Sequence, residues 1–170
     1  MQFQEIDPFD ELSNPLDSVE DILNANKWTF DRRNEDELNV QVTGRRGSIY
    51  DMQFVWQEEY GAMCLTCTMG DIIIHEGRLD EAGQTLRQIN AHLWLGHFDF
   101  TDEERIPRFR HTCLFRGMHG ASGAEHIEDL VDIALAECER FFDAIDLISR
   151  PLKAPADLLD LAMMDVAGES

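Results

Sequence analysis

Leu86-Arg-Gln-Ile-Asn-Ala-His-Leu-Trp-Leu-Gly-His-Phe-Asp-Phe100 and, after a charged turn, Arg108-Phe-Arg-His-Thr-Cys-Leu-Phe-Arg-Gly117 form the stretch that decides the fold. Up to Gly96 the apolar residues recur every three or four positions, and beyond it they alternate. A change from period 3.6 to period 2 across one glycine marks a helix entering a β-hairpin in the middle of the chain. On the first strand, His97 to Phe100, Phe98 and Phe100 share a face. On the second, Arg108 to Arg116, one face carries Phe109, His111, Cys113 and Phe115, and the other carries Arg108, Arg110 and Arg116. The turn Thr101 to Pro107 joins the two strands.

The helix before this hairpin is written by Leu79, Ala82, Leu86, Ile89 and Leu93, with Gly96 as its stop. Upstream, four strands are expected, over 28–33, 37–43, 48–58 and 62–69. In the second of these Leu38, Val40 and Val42 alternate with Asn39, Gln41 and Thr43, the pattern of a sheet with one buried face. Asn14-Pro15 opens a first helix, with Asn suited to the cap and Pro to the first helical position, and Leu16, Val19, Ile22 and Leu23 form its stripe. Downstream, Ser122-Gly-Ala-Glu125 reads as a capping box. Behind it Ile127, Leu130, Val131, Ala134, Cys138, Phe141, Phe142 and Ile145 make a long helix, closed by Pro151 and Pro155. Residues 156–167 read as a short fourth helix.

The expected architecture is α+β: an antiparallel sheet covered by helices on one face, in the order α-β-β-β-β-α-β-β-α with a short C-terminal helix. Its boundaries are an acidic segment 1–13, a single domain 14–150 and a C-terminal segment 151–170.

Of 170 residues 44% are hydrophobic, enough to build one core without staples. No apolar run approaches the roughly 18 residues of a membrane span, and the first residues lack a secretory pattern, so a cytoplasmic protein without membrane contact is expected. The formal charge is −20, and half of the excess sits at the ends: residues 1–26 hold seven acids and no Lys or Arg, and residues 151–170 hold four acids and one Lys. Such a field repels phosphate backbones, which argues against nucleic-acid binding.

No constellation specifies a reaction. Cys64-Leu-Thr-Cys67 has C-x-x-C spacing, but it lies on an expected strand, where positions three apart face opposite ways, rather than opening a helix as a redox motif would. Gly120-Ala-Ser-Gly-Ala124 departs from the nucleophile elbow at its last position, and a cap accounts for Ser122. Gly117, Gly120 and Gly123 could cradle an anion at a helix start, yet match neither phosphate-loop spacing. His111 with Cys113, or His97 beside Asp99, does not complete a ligand set. No catalytic residue, cofactor or metal is therefore expected.

Arginine is the more informative residue. Arg32, Arg33, Arg45, Arg46, Arg108, Arg110 and Arg116 lie in or near strands of a very acidic chain. Arg108, Arg110, Arg116, Arg32, Arg45 and Arg46 are the candidate partner-binding residues, forming a sheet face for a carboxylate-rich peptide. Phe3, Ile6, Phe9 and Leu12, three residues apart among acids, would suit a docking segment, which would make the chain's own N-terminal segment such a peptide, and would equally suit a disordered acidic tail.

Ile89-Asn-Ala-His-Leu-Trp-Leu-Gly-His-Phe-Asp-Phe100, Arg108-Phe-Arg-His-Thr-Cys-Leu-Phe-Arg-Gly117 and Asp132-Ile-Ala-Leu-Ala-Glu-Cys-Glu-Arg-Phe-Phe142, in this order of elements, resemble the YbjN-like family of bacterial proteins over residues 14–149. The resemblance implies a fold like that of type III secretion chaperones and a role in sensory transduction, and it brings no catalytic residues. The expected function is a non-enzymatic, chaperone-like or regulatory module that binds a protein partner on a sheet face or groove, with the last helix available for homodimerisation. The alternative is a small-molecule sensor or enzyme with a pocket between sheet and helices, lined by Trp56, His111 or Trp94.

Overall fold

The computed structural model describes residues 14–115 and 121–152. The first helix, α1 (Leu16–Ala25), starts as its sequence directs. The Leu16 amide donates to the Asn14 side-chain oxygen at 3.0 Å, and Pro15, with φ −68°, already has helical geometry. Its far end is closed by Lys27 in the left-handed region at φ 59°. The Trp28 amide reaches back to the Leu23 carbonyl at 2.9 Å and the Lys27 amide to Asn24 at 3.0 Å, the paired bonds of a Schellman ending. That ending occupies Trp28, so the first strand begins two residues later than the alternation predicts.

The strands β1 (Phe30–Asn34), β2 (Glu37–Thr43), β3 (Ile49–Gln57) and β4 (Ala62–Met69) form an antiparallel meander. The chain then crosses through α2 (Leu79–Asn90) to the outer strand β5 (His97–Asp99) and returns as β6 (Arg108–Leu114) between β5 and β4. The sheet order is β1-β2-β3-β4-β6-β5. The long helix α3 runs Ala121–Ser149. Ser122 thus lies inside the helix rather than at its cap. The fourth helix expected over 156–167 falls outside the described residues.

The register places Phe30, Val40, Met52, Cys67, Phe109 and Phe98 in one row across all six strands. Leu38, Phe54 and Leu65 fill the next row, ending at His111. These residues meet Leu16, Val19 and Leu23 of α1, Leu86 and Ile89 of α2, and Ile127, Val131, Ala134 and Cys138 of α3 in one core. All three helices bury their apolar stripes against this face. At about 25 cal/mol per Å² of apolar surface, a fully buried side chain such as Phe54 contributes about 2–3 kcal/mol, so this layer carries the stability.

Contrary to the stripe through Leu93, α2 stops at Asn90. The Asn90 side chain leaves the helix to serve the edge strand: its Oδ1 accepts from the Phe98 amide at 2.7 Å and its Nδ2 donates to the Phe98 carbonyl at 2.9 Å. One side chain thus satisfies the outward backbone groups of β5 and blunts that edge against further pairing. Gly96, at φ 68°, makes the turn between them. A Cβ there would lie 2.2 Å from the Phe109 ring and 2.8 Å from the Arg110 carbonyl oxygen, so the glycine is required twice over.

Candidate functional site

The opposite face of the sheet is polar, and among the described residues no helix covers it. Asp31, Asn39, Gln53, Thr66, Arg110 and His97 form one row, and Gln41, Asp51, Thr68, Arg108 and Asp99 the next. Every one of these side chains is half-buried or exposed. They bond to one another across strands: Gln53 donates to Glu37 at 2.7 Å and Gln41 to Asp51 at 2.9 Å. At the β1 to β3 end the face dips into an open depression of about 550 Å³ bordered by Asp31, Arg33, Asn39, Gln53 and Thr68.

The hairpin β5 to β6 adds a cluster of ion pairs to this face. Asp99 is gripped by Arg108 Nε at 2.6 Å and Arg110 Nη1 at 3.2 Å, and Arg108 also reaches Glu104 at 3.4 Å. Burial by itself would raise the Asp99 pKa. The two guanidiniums outweigh it and hold the carboxyl below its usual range, while Asp99 raises Arg110 in return.

The six candidate arginines do not share this face, which corrects the expectation of a single arginine surface. Arg108 and Arg110 are on it. Arg32 pairs with Leu38, so its parity puts it on the helix side. There it bonds to Glu20 at 2.8 Å, approaches Asp17 at 3.5 Å, and donates to the Asn34 and Glu35 carbonyls, which ties α1 to the β1 to β2 turn. Arg45 and Arg46 sit in the β2 to β3 turn beside α3, where Arg46 pairs with Asp143. Arg116 lies outside the described residues. Arg33, omitted from the candidate set, does border the depression. Parity within Phe30-Asp-Arg-Arg33 separates Arg32 from Arg33 and was the signal available.

The groups weighed for chemistry are dispersed. Cys64 and Cys67 face opposite sides of β4, Cys64 half-buried and Cys67 in the core, and all four cysteines are free. Burial, with Cys64 nearby, pushes the Cys113 thiol up to about 11. A hydrogen bond to Cys67 and burial raise Cys138 well above the thiol range. Burial, then the neighbouring His126 and His97, lower the His111 pKa, so the folded protein favours its neutral form. Among the described residues no three His, Cys, Asp or Glu side chains cluster to hold a metal ion. Trp56 is buried edge-on to Phe115, whereas Trp94 is 99% exposed on the α2 to β5 turn. Among the described residues these two tryptophans and His111 therefore line no common pocket. No helix among the described residues is long and apolar enough to cross a membrane.

Solved structures align with this chain. A crystal structure of YbjN, "a putative transcription regulator from E. coli", aligns with a TM-score of 0.51 and 10% identity over 79% of this chain and 87% of that one. A crystal structure of the ExsC–ExsE complex aligns with a TM-score of 0.46 and 13% identity over 64% and 76%. No curated protein matches. The model of the YbjN family, described as "Putative bacterial sensory transduction regulator", matches residues 15–147, and with most of its length inside that match the chain belongs to the YbjN family.

Proposed function

We propose that the protein is a non-enzymatic regulatory module, chaperone-like in its mode of action, that receives a segment of a partner polypeptide on its uncovered sheet face in the bacterial cytoplasm. The observation that carries this reading is the asymmetry of the sheet: one face packs three helices, and the other holds an open six-stranded polar surface. Membership of a family described as regulatory supports it. Arg110, 41% exposed, and Arg33, 58% exposed, stand on that surface as donors for partner carboxylates or carbonyls. Residues 14–150 form the binding unit in this reading, with acidic segments 1–13 and 151–170 appended.

The test compares the native chain with an Arg33→Glu/Arg110→Glu variant as bait in lysate of the source bacterium, after circular dichroism has shown equal folding. A stoichiometric protein captured by the first and lost by the second is the expected result. Equal capture by both moves the site elsewhere, and failure of the native chain to hold any stoichiometric partner across growth conditions ends the proposal.

A further inference from the structure

A second concavity, on the helix side, has different chemistry. It is a half-open groove of about 800 Å³ between the β2 to β3 turn and the middle of α3. Trp28, Val42 and Leu135 give it apolar lining, and its charged lining is Arg45, Arg46 and Arg140 together with Asp132 and Glu139. The turn is held against the helix by Glu139, which accepts from the Arg45 amide at 3.2 Å. Gly44 permits this approach, since a Cβ there would lie 2.1 Å from Glu139 Oε1 and 2.5 Å from the Tyr50 ring. Arg46 and Arg140 are partly neutralised by Asp143 and Glu137, but the Arg45 guanidinium pairs with no carboxylate among the described residues. On a chain of charge −20, an apolar lining beside such an arginine is a place where an acidic segment bearing apolar side chains gains on both counts.

We propose that the groove is occupied by residues 3–9 of the same chain, Phe3-Gln-Glu-Ile-Asp-Pro-Phe9, with residues 10–13 as the tether, Phe or Ile side chains over Trp28 and carboxylates toward Arg45 and Arg46. The segment has the required chemistry, Glu5 and Asp7 among the apolar Phe3, Ile6 and Phe9 spaced three apart. It also has the reach. Asn14 is anchored at the start of α1 by its bond to the Glu35 carbonyl, and Trp28 lies just past the other end of that ten-residue helix. The distance to be covered is therefore about 15–20 Å, and the five steps from Asn14 back to Phe9 span up to about 17 Å when extended, so Phe9 and the residues before it are the ones that reach the groove. Tethering places the segment at an effective concentration of order millimolar, so even a weak site is filled in cis before a free peptide competes. This inference is independent of what binds the uncovered sheet face.

The experiment uses the full chain with Phe9 replaced by the photocrosslinker p-benzoylphenylalanine. After irradiation, mass spectrometry is expected to map intrachain crosslinks to Trp28, to residues 42–46 or to residues 132–140. The yield should fall several-fold in an Arg45→Glu/Arg46→Glu background. Arg45→Gln, which breaks no carboxylate pair among the described residues, serves as the milder variant if the double change disturbs folding. Crosslinks to other parts of the chain, crosslinked dimers, no crosslink at all, or a yield indifferent to both arginine variants would each overturn the assignment.

Discussion

Gln53 and Phe54 are consecutive residues of one strand that live in different solvents. Phe54 is fully buried beneath the helices, and Gln53 points from the other face into a network of Glu37, Asn39 and Thr66 neighbours. The same backbone hydrogen bonds serve both, so the difference between the faces is one of desolvation. The helix-covered face gains stability from apolar area removed from water, whereas the uncovered face exchanges hydrogen bonds with water at little net gain. A face that adds little stability is free to vary for recognition, and that freedom is why the uncovered one is the better candidate for binding.

The sharpest way to break this contrast is Phe54→Ala beside Gln53→Ala. The first should cost about 3–5 kcal/mol in urea unfolding and the second no more than about 0.5 kcal/mol. A large loss for Gln53→Ala would mean that something covers the polar face. Next in size is Gly96→Ala, which requires both a left-handed alanine and room beside Phe109 and Arg110. It should cost at least about 2 kcal/mol, read as a fall in melting temperature. Asn90→Ala strips both bonds from Phe98 at the sheet edge. About 1–3 kcal/mol should be lost, with Phe98 amide exchange accelerating more than that of the central strands.

The smallest effect belongs to the polar face itself. Asp99→Asn should cost about 1 kcal/mol at neutral pH, because the arginine pairs are partly solvated. Its signature is in the pH profile. A carboxyl with a depressed folded pKa stabilises above its unfolded pKa near 4 and ceases to do so as pH falls through its folded value. Denaturant midpoints measured from pH 7 down to pH 2 should therefore converge for native and variant chains at the acid end. Parallel profiles would show that the arginines do not stabilise ionised Asp99.

Most of the fold was legible before any coordinates. The bounds of β4 and the alternation of β2 followed from period alone, because a strand with one wet face must alternate. The boundaries that moved did so for tertiary reasons. Asn90 leaves α2 because the edge strand offers its side chain two backbone partners, and Trp28 is withheld from β1 by the left-handed turn at Lys27. The candidate surface was less legible. Composition counts arginines, but the face each one occupies depends on strand parity, which puts Arg32 opposite Leu38 on the helix side and is not visible in a count.

What the sequence by itself determined is the element order, the apolar face of each element and the acidic character of the ends, since all three follow from local periodicity and charge. What only the tertiary structure decided is which arginines stand together. Asp99 collects Arg108 and Arg110 across one hairpin, α1 removes Arg32, and the packing of α3 against the β2 to β3 turn builds a groove around Arg45 and Arg46. These groupings join residues up to 97 positions apart, and separations of that kind leave no trace in local pattern.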